Sequence, residues 1–399
     1  MRILLVSDVY FPRVNGVSTS IQTFAHQFLA LGHDVTLIAP SYATEAEERF
    51  PILRIPSRPV PFDAEDHLMQ RAHIRRLYPE IARLKPDLVH VQTPFAAHYE
   101  GVRLARHLGV PLIETYHTYF EEYLENYLPL VPRQLLRLAA RRFTVSQCRS
   151  VDAVVVPSAP MLNVLRGYGV SANCHVIPTG IPSESFGCGD GAAFRAQHGI
   201  PPDRPLMLYV GRVAHEKNVH FLIEVVEATR RRLPDILLVI AGEGPARDAL
   251  ERDVARRGLL KHVLFSGYLG RDRELPDCYA AANVFVFASR TETQGLVLLE
   301  AMAAGTPVVT TAVMGTEAVM ADGLGGLVVP EDASSFGDAL SRLLGNSELS
   351  SRLSREAAQK ASEWSDRALA EKMLCLYEGI IQQYADGALA CPATTGSNP

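Results

Sequence analysis

Residues 290–309 read RTETQGLVLLEAMAAGTPVV. The stretch follows an apolar, strand-like run at 283–289 (NVFVFAS), and beyond Gly295 it becomes an alanine-rich apolar helix. A strand feeding a glycine and then a helix builds an anion site. The first helical N–H groups lack backbone partners, and the helix dipole concentrates partial positive charge there. Gly295 also lets the backbone come close to a ligand. Glu292 and Glu300 stand on either side of Gln294-Gly295-Leu296-Val297. A carboxylate repels phosphate but accepts hydrogen bonds from hydroxyls, so the pair suggests a ligand with both phosphates and sugar hydroxyls, such as a sugar nucleotide. Taken alone, the stretch reads equally as a buried helix with two solvated glutamates.

Outward from it, short β-rich runs alternate with helical patterns along the whole chain, the pattern of a doubly wound α/β architecture. The first half offers runs at 3–7, 35–40, 52–56, 88–92, 111–116, 153–157 and 175–178. The second offers 206–211, 236–242, 263–267, 284–288, 307–310 and 326–329. Several are apolar without alternation, as parallel strands covered on both faces are. Two such sets predict two Rossmann-like domains. The polar, glycine-rich segment 181–201 marks the break. We expect an N-terminal domain at 1–182, a second at 183–365, a last helix at about 366–386, and a disordered tail at 387–399 (GALACPATTGSNP).

The chain has 399 residues, 47% of them hydrophobic and 21% charged, enough for two or three domains with sizeable cores. Its net charge of −5 provides no global basic field for nucleic acid. Cys148, Cys174, Cys188, Cys278, Cys375 and Cys391 form no C-x-x-C pair, a pattern of reduced thiols. The opening MRILLVSDVYFP reads as a strand and loop, not a secretion leader. No apolar run reaches the ~18–20 residues of a membrane span. The expected location is the cytoplasm.

Further motifs sit at strand ends, where open α/β sheets bind ligands. After the first strand comes Pro12-Arg13-Val14-Asn15-Gly16-Val17-Ser18, with Asn15 or Ser18 as helix cap and Gly16 opening the turn. It is not GxGxxG, so no dinucleotide cofactor is implied. His117 stands in Glu114-Thr115-Tyr116-His117-Thr118, although a lone histidine is more often structural. Gly211-Arg212 and Lys217-Asn218 follow the first strand of the second domain and place two cations at its edge, suited to a diphosphate leaving group. Gly242-Glu243-Gly244 and Gly267-Tyr268-Leu269 are further strand-end loops.

One region is locally basic. Residues 132–149 (PRQLLRLAARRFTVSQCR) carry no acid, and Arg133, Arg137 and Arg141 share a helical face at i, i+4 spacing. With Leu135, Leu136, Leu138 and Phe143 this makes a helix able to lie on an anionic membrane. A solvated helix with core leucines explains it equally well. The preceding segment 119–130 (YFEEYLENYLPL), with Tyr119 and Tyr123, is apolar enough to receive a lipid acceptor. A second basic cluster comprises Arg71, Arg75, Arg76, Arg83 and Lys85.

The Glu292-x7-Glu300 pattern with its internal Gly-Leu-Val, together with Gly211-Arg212 and Glu216-Lys217-Asn218, resembles the donor-binding signature of retaining glycosyltransferases of family 4. The resemblance spans nearly the whole chain. It implies the GT-B fold: two Rossmann-like β/α/β domains facing across a deep cleft, the last helix crossing back to the N-terminal one. By the same match, His117 contacts the transferred sugar and, with Arg212, Lys217 and Glu292, forms the catalytic set. Glu292 binds sugar hydroxyls and Glu300 the ribose. Gly267, Tyr268 and Leu269 hold the nucleobase, while Gly16, Gly211, Gly295, Leu296 and Val297 complete the donor site. No Asp-x-Asp occurs, so a metal-bridged diphosphate is not supported, and no cofactor is expected.

The 291–295 stretch and the segment beginning His117-Thr118-Tyr119 look like those of bacterial diacylglycerol glucosyltransferases, which favours UDP-glucose as donor and a membrane lipid as acceptor. The expected partners are therefore a nucleotide sugar, a lipid or glycan, and the anionic inner face of the cell membrane. Alternatives are a GDP-mannose-dependent mannosyltransferase acting on phosphatidylinositol or a polysaccharide intermediate, a sugar-nucleotide epimerase of GT-B shape, and a non-catalytic nucleotide-sugar-binding protein.

Overall fold

The computed structural model describes residues 1–44, 48–60, 63–117 and 132–387. The tail expectation for 388–399, and Tyr119 and Tyr123, lie outside these residues. Two compact units emerge: one holds the described residues up to Gly180 together with 366–387, the other runs from Ile181 to Ser365.

In the first unit, β1 (Arg2–Val6), β2 (Asp34–Pro40) and β3 (Ile52–Ile55) are followed by a short hairpin, β4 (Ser57–Val60) and β5 (Asp63–Met69). Then come β6 (Leu88–Val91), β7 (Leu112–Thr115), β8 (Ala153–Val156) and β9 (Cys174–Val176). The main sheet is parallel, in the order β3-β2-β1-β6-β7-β8-β9. Strand addition reverses between β1 and β6. Because successive side chains point to opposite faces, Ile3 and Leu5 pack into one core, and Leu4 and Val6 into another. The antiparallel hairpin was not anticipated. Its sequence contains Pro59 and several acids, and does not alternate.

The helix Gly16–Ala30 starts on Asn15, whose side chain accepts the Ser18 N–H at 2.8 Å. Against it lies the last helix, Asp366–Ala385, which buries Ala370, Met373, Leu374, Tyr377 and Ile380 at helical spacing. This helix also satisfies a polar group. His90, between Val89 and Val91 on β6, is fully enclosed. Its Nδ1 lies 2.6 Å from the Tyr377 hydroxyl and its Nε2 2.7 Å from Thr115 Oγ1. A second buried polar group, Glu100, gathers Arg71, Arg75 and Arg103 at 2.7, 2.8 and 3.3 Å. Two arginines of the second basic cluster therefore neutralise a carboxylate of their own unit.

The second unit contains β10 (Leu206–Val210), β11 (Leu237–Ala241), β12 (Val263–Gly267), β13 (Val284–Phe287), β14 (Val308–Thr310) and β15 (Gly326–Val328). Its parallel order is β12-β11-β10-β13-β14-β15, with the reversal between β10 and β13. Both units are thus Rossmann-like, and each strand of the two main sheets coincides with a run anticipated from the sequence. Among the described residues, no helix is long and apolar enough to cross a membrane.

Burial, with a smaller push from His117, lowers the His90 pKa from 6.5 to about 3. An unfolded chain takes up this proton near pH 6.5 while the fold refuses it. The stabilising contribution is complete above pH 6.5 and is lost as pH falls toward 3. We predict that unfolding free energy drops between pH 6 and 4, and that His90→Gln flattens this dependence by about 1.4 kcal/mol per pH unit. Urea titrations at several pH values, followed by circular dichroism, check this. An identical slope in both proteins contradicts it.

Candidate active site

The reversal between β10 and β13 brings two distant stretches to one sheet edge. After β10, the chain passes Gly211, whose φ is +150°, and Arg212, whose carbonyl accepts the Tyr209 hydroxyl at 2.9 Å. The loop is sewn to the end of β11 through backbone groups. Gly211 N donates to Ala241 O at 3.0 Å, and Val213 N to Glu243 O at 2.8 Å. A Cβ on Gly242 would lie 2.0 Å from Gly211 O, so only glycine permits this approach. A short 3-10 turn, His215–Lys217, then ends at Asn218 in the left-handed region, with φ +56°.

After β13, the chain runs through Glu292 to Gly295, which caps the buried helix Leu296–Ala303 with φ +91°. Here one sequence-derived cation meets one sequence-derived carboxylate. Lys217 Nζ lies 2.8 Å from Glu292 Oε2, and each side chain is 21% exposed. Arg212 approaches Glu216 at 3.9 Å. Asn218 spans the reversal, its Nδ2 donating to Ala288 O at 3.2 Å and to Glu331 Oε1 at 3.1 Å. Glu331 in turn engages Arg290 through both of its oxygens. Lys217 and Glu292 are therefore held from both sides.

Glu300 occupies the second turn of the same helix and is buried. Its Oε1 accepts from Arg271 Nη2 and its Oε2 from the Tyr279 hydroxyl, both at 2.8 Å. Gly267, with φ +74°, accepts the Gly242 N–H at 2.8 Å, which ties the β12 loop to the β11 loop. Next to it Tyr268 is exposed and Leu269 packs on the core. Leu296 and Val297 are half-buried at the helix start, also against that core.

In the first unit, His117 lies just past the end of β7. Its Nε2 is 3.0 Å from Gln92 Oε1, beyond β6. Burial lowers its pKa to about 4, which keeps the imidazole neutral near pH 7. The Gln92 loop is braced by Thr93 Oγ1 on Asp8 Oδ2 (2.9 Å) and by Gln147 Nε2 on Pro94 O (2.5 Å). Burial raises the Asp8 carboxyl to about 6, against the opposing hydrogen bonds from Ala97 and Thr93. At Gly16 an added Cβ would meet nothing within 4 Å, so packing does not require glycine there.

Arg133 opens the helix Arg133–Cys148. This helix buries Leu136, Ala140, Thr144 and Cys148, leaving Leu135 60% and Leu138 45% exposed. Arg137 and Arg141 are exposed, with the Arg141 guanidinium 5.2 Å from the centre of the Tyr168 ring.

The model of Glycosyltransferase Family 4 matches residues 14–185, and that of Glycosyl transferases group 1 matches residues 190–360. The alpha-monoglucosyldiacylglycerol synthase of Streptococcus pneumoniae is 33% identical over 321 residues, spanning 77% of this chain and 70% of that protein. The chain belongs to glycosyltransferase family 4. The alpha-monoglucosyldiacylglycerol synthase of Acholeplasma laidlawii is 25% identical and covers 96% of this glycosyltransferase and 98% of itself. Sucrose-phosphate synthase of Thermosynechococcus elongatus, a solved structure, superposes with a TM-score of 0.77 at 24% identity, over 96% of this chain and 99% of that one. The glycosyltransferase therefore has the GT-B fold.

Several residues that brace the site carry no sequence signal. Arg271 and Glu331 read as solvated loop charges, and Tyr279 as core. Met314 is another. In the loop after β14 it adopts φ +59°, ψ −125°, and Ala312 adopts φ +50°. The following Gly315 donates to Glu292 O at 2.8 Å, and a Cβ there would lie 2.2 Å from the Thr293 carbonyl. The loop thus presses on the turn that carries Glu292, and a non-glycine residue with positive φ stores about 1–3 kcal/mol of strain. We predict that Met314→Gly raises the unfolding free energy by about 1 kcal/mol while lowering the rate of glycosyl transfer. Calorimetry and a transfer assay check it together, and a variant less stable than the parent contradicts the strain.

Proposed function

We propose that this glycosyltransferase moves a glucosyl group from UDP-glucose to a membrane lipid such as diacylglycerol, with retention at the anomeric carbon and without a metal ion. The observation that carries the donor half is the assembly of Arg212, Lys217, Glu292 and the Gly295–Val297 helix start at one sheet edge. As the bond between the anomeric carbon and the diphosphate breaks, negative charge grows on the phosphate oxygens. Two fixed cations and free helical N–H groups stabilise that charge without reorganising, with about 3 kcal/mol typical for one such donor. They supply the neutralisation that a divalent metal supplies in other transferases.

Glu292 accepts hydrogen bonds from sugar hydroxyls. In the retaining route the acceptor hydroxyl attacks from the face that the diphosphate leaves, and a departing phosphate oxygen takes its proton. No carboxylate nucleophile is required, which suits a Glu292 already engaged with Lys217. We predict that Lys217→Ala and Glu292→Ala each reduce turnover at least about a hundredfold, with stability within about 1 kcal/mol of the parent. Radiolabelled UDP-glucose and diacylglycerol vesicles, with chelator present, provide the assay, and NMR of the product gives the anomer. Transfer from GDP-mannose alone, or a β product, overturns the assignment.

The acceptor half rests on Leu135 and Leu138, which face outward among arginines, and on the names of the two synthases above. An exposed apolar stripe edged with cations suits the interfacial region of an anionic bilayer. We predict that Leu135→Gln with Leu138→Gln, and separately Arg137→Gln with Arg141→Gln, weaken binding to phosphatidylglycerol vesicles in flotation assays and leave nucleotide affinity unchanged. Equal flotation of both pairs and the parent removes the membrane argument.

A further inference from the structure

We propose that Arg271 and Tyr279 are positioning residues of the nucleotide site. Between them they fix the Glu300 carboxylate so that only its remaining lone pairs are open to the vicinal hydroxyls of a ribonucleoside diphosphate. The inference rests on the reading of Glu300 as the ribose contact.

A carboxylate whose side chain is only 3% exposed needs partners, because burying a charge without them is strongly unfavourable. Glu300 has one on each oxygen, Arg271 Nη2 and Tyr279 Oη, each at 2.8 Å. An ionised carboxylate offers about four acceptor positions, so roughly two remain beyond these partners. Two vicinal hydroxyls, each donating one hydrogen bond, match that number.

The two partners differ in kind. Tyr279 is immobile: it is fully buried, its ring stands edge-on to Phe186 at 5.7 Å, and its carbonyl accepts the Thr306 hydroxyl at 2.8 Å. It sets the direction of Oε2. Arg271 arrives from the loop that follows β12. Gly270 N donates to Glu274 Oε2 at 2.7 Å and Gly270 O accepts the Leu275 N–H at 2.9 Å, which anchors that loop beside Arg271. Arg271 therefore joins the loop expected to hold the base to the carboxylate expected to hold the ribose, and so sets the spacing between them. A site built this way rejects an analogue lacking the hydroxyls, since its fixed acceptors are left unpaired.

The test compares UDP with 2′,3′-dideoxy-UDP by calorimetry, using GDP and its dideoxy form if the parent prefers guanine. The parent is expected to favour the ribonucleotide by at least about tenfold. Arg271→Gln should reduce that preference to below about threefold and raise KM with little change in kcat, as lost ground-state positioning does. Arg271→Lys should recover part of it. Tyr279→Phe, which removes only a hydroxyl, should lose part of the preference and keeps the test open if Arg271→Gln does not fold. A preference retained in full by both Tyr279→Phe and any folded Arg271 variant overturns the proposal and leaves these groups as partners of a buried charge only. Glu300→Gln separates the two ideas: an undiminished preference in that variant overturns the ribose reading itself.

Discussion

In each main sheet, strands are added in one direction from the first strand and then in the other. At the reversal, the loops leaving two adjacent strands diverge to opposite faces and leave room between them. In the second unit this places residues 211–218, after β10, beside residues 288–295, after β13. Lys217 and Glu292 are 75 residues apart in the chain yet 2.8 Å apart in space. No local propensity brings them together. Their meeting depends on the register of a parallel sheet buried on both faces, since a one-residue slip would move every side chain of a strand to the opposite face.

The loops at that edge are held more by backbone than by side chains. Gly242 against Gly211, Gly244 against Val213 and Gly315 against Thr293 are approaches in which a Cβ would fall within 2.4 Å of a backbone oxygen. Such contacts leave little freedom to adjust. They explain how short loops present Arg212, Lys217 and Glu292 with little more than one 3-10 turn. The strained Met314 lies next to one of these approaches, where the surrounding structure over-determines the backbone.

The strands of both main sheets were legible in the sequence because buried parallel strands are apolar on both faces. Leu206–Val210 and Leu237–Ala241 are such runs. The β4–β5 hairpin was not, since it lies outside both main sheets and carries no alternation. At the site, Arg212, Lys217, Glu292 and Glu300 could be read because each follows a recognisable strand or sits in a patterned helix. Arg271, Tyr279, Glu331 and Gln92 could not. Their partners lie 29, 21, 113 and 25 residues away. An arginine in GRDRE or a tyrosine in an apolar helix has a common explanation that needs no ligand. The exposed leucines at 135 and 138 needed the structure as well, because the sequence did not show which face of their helix is buried.

Two ion pairs of the second unit differ in burial. Lys217 and Glu292 are each about one-fifth exposed. A pair so placed is partly screened by water and contributes about 0–1 kcal/mol, so either member can exchange partners with little loss. The Glu300 side chain is only 3% exposed, and removing Arg271 there would leave a buried charge uncompensated, a far larger penalty. The first pair is therefore exchangeable and the second fixed. On the proposed reading, bonds break beside the first pair, where charge is redistributed during the reaction. On the same reading the second pair holds the nucleoside, which undergoes no chemistry, and rigidity there places the reacting carbon at a set distance from it.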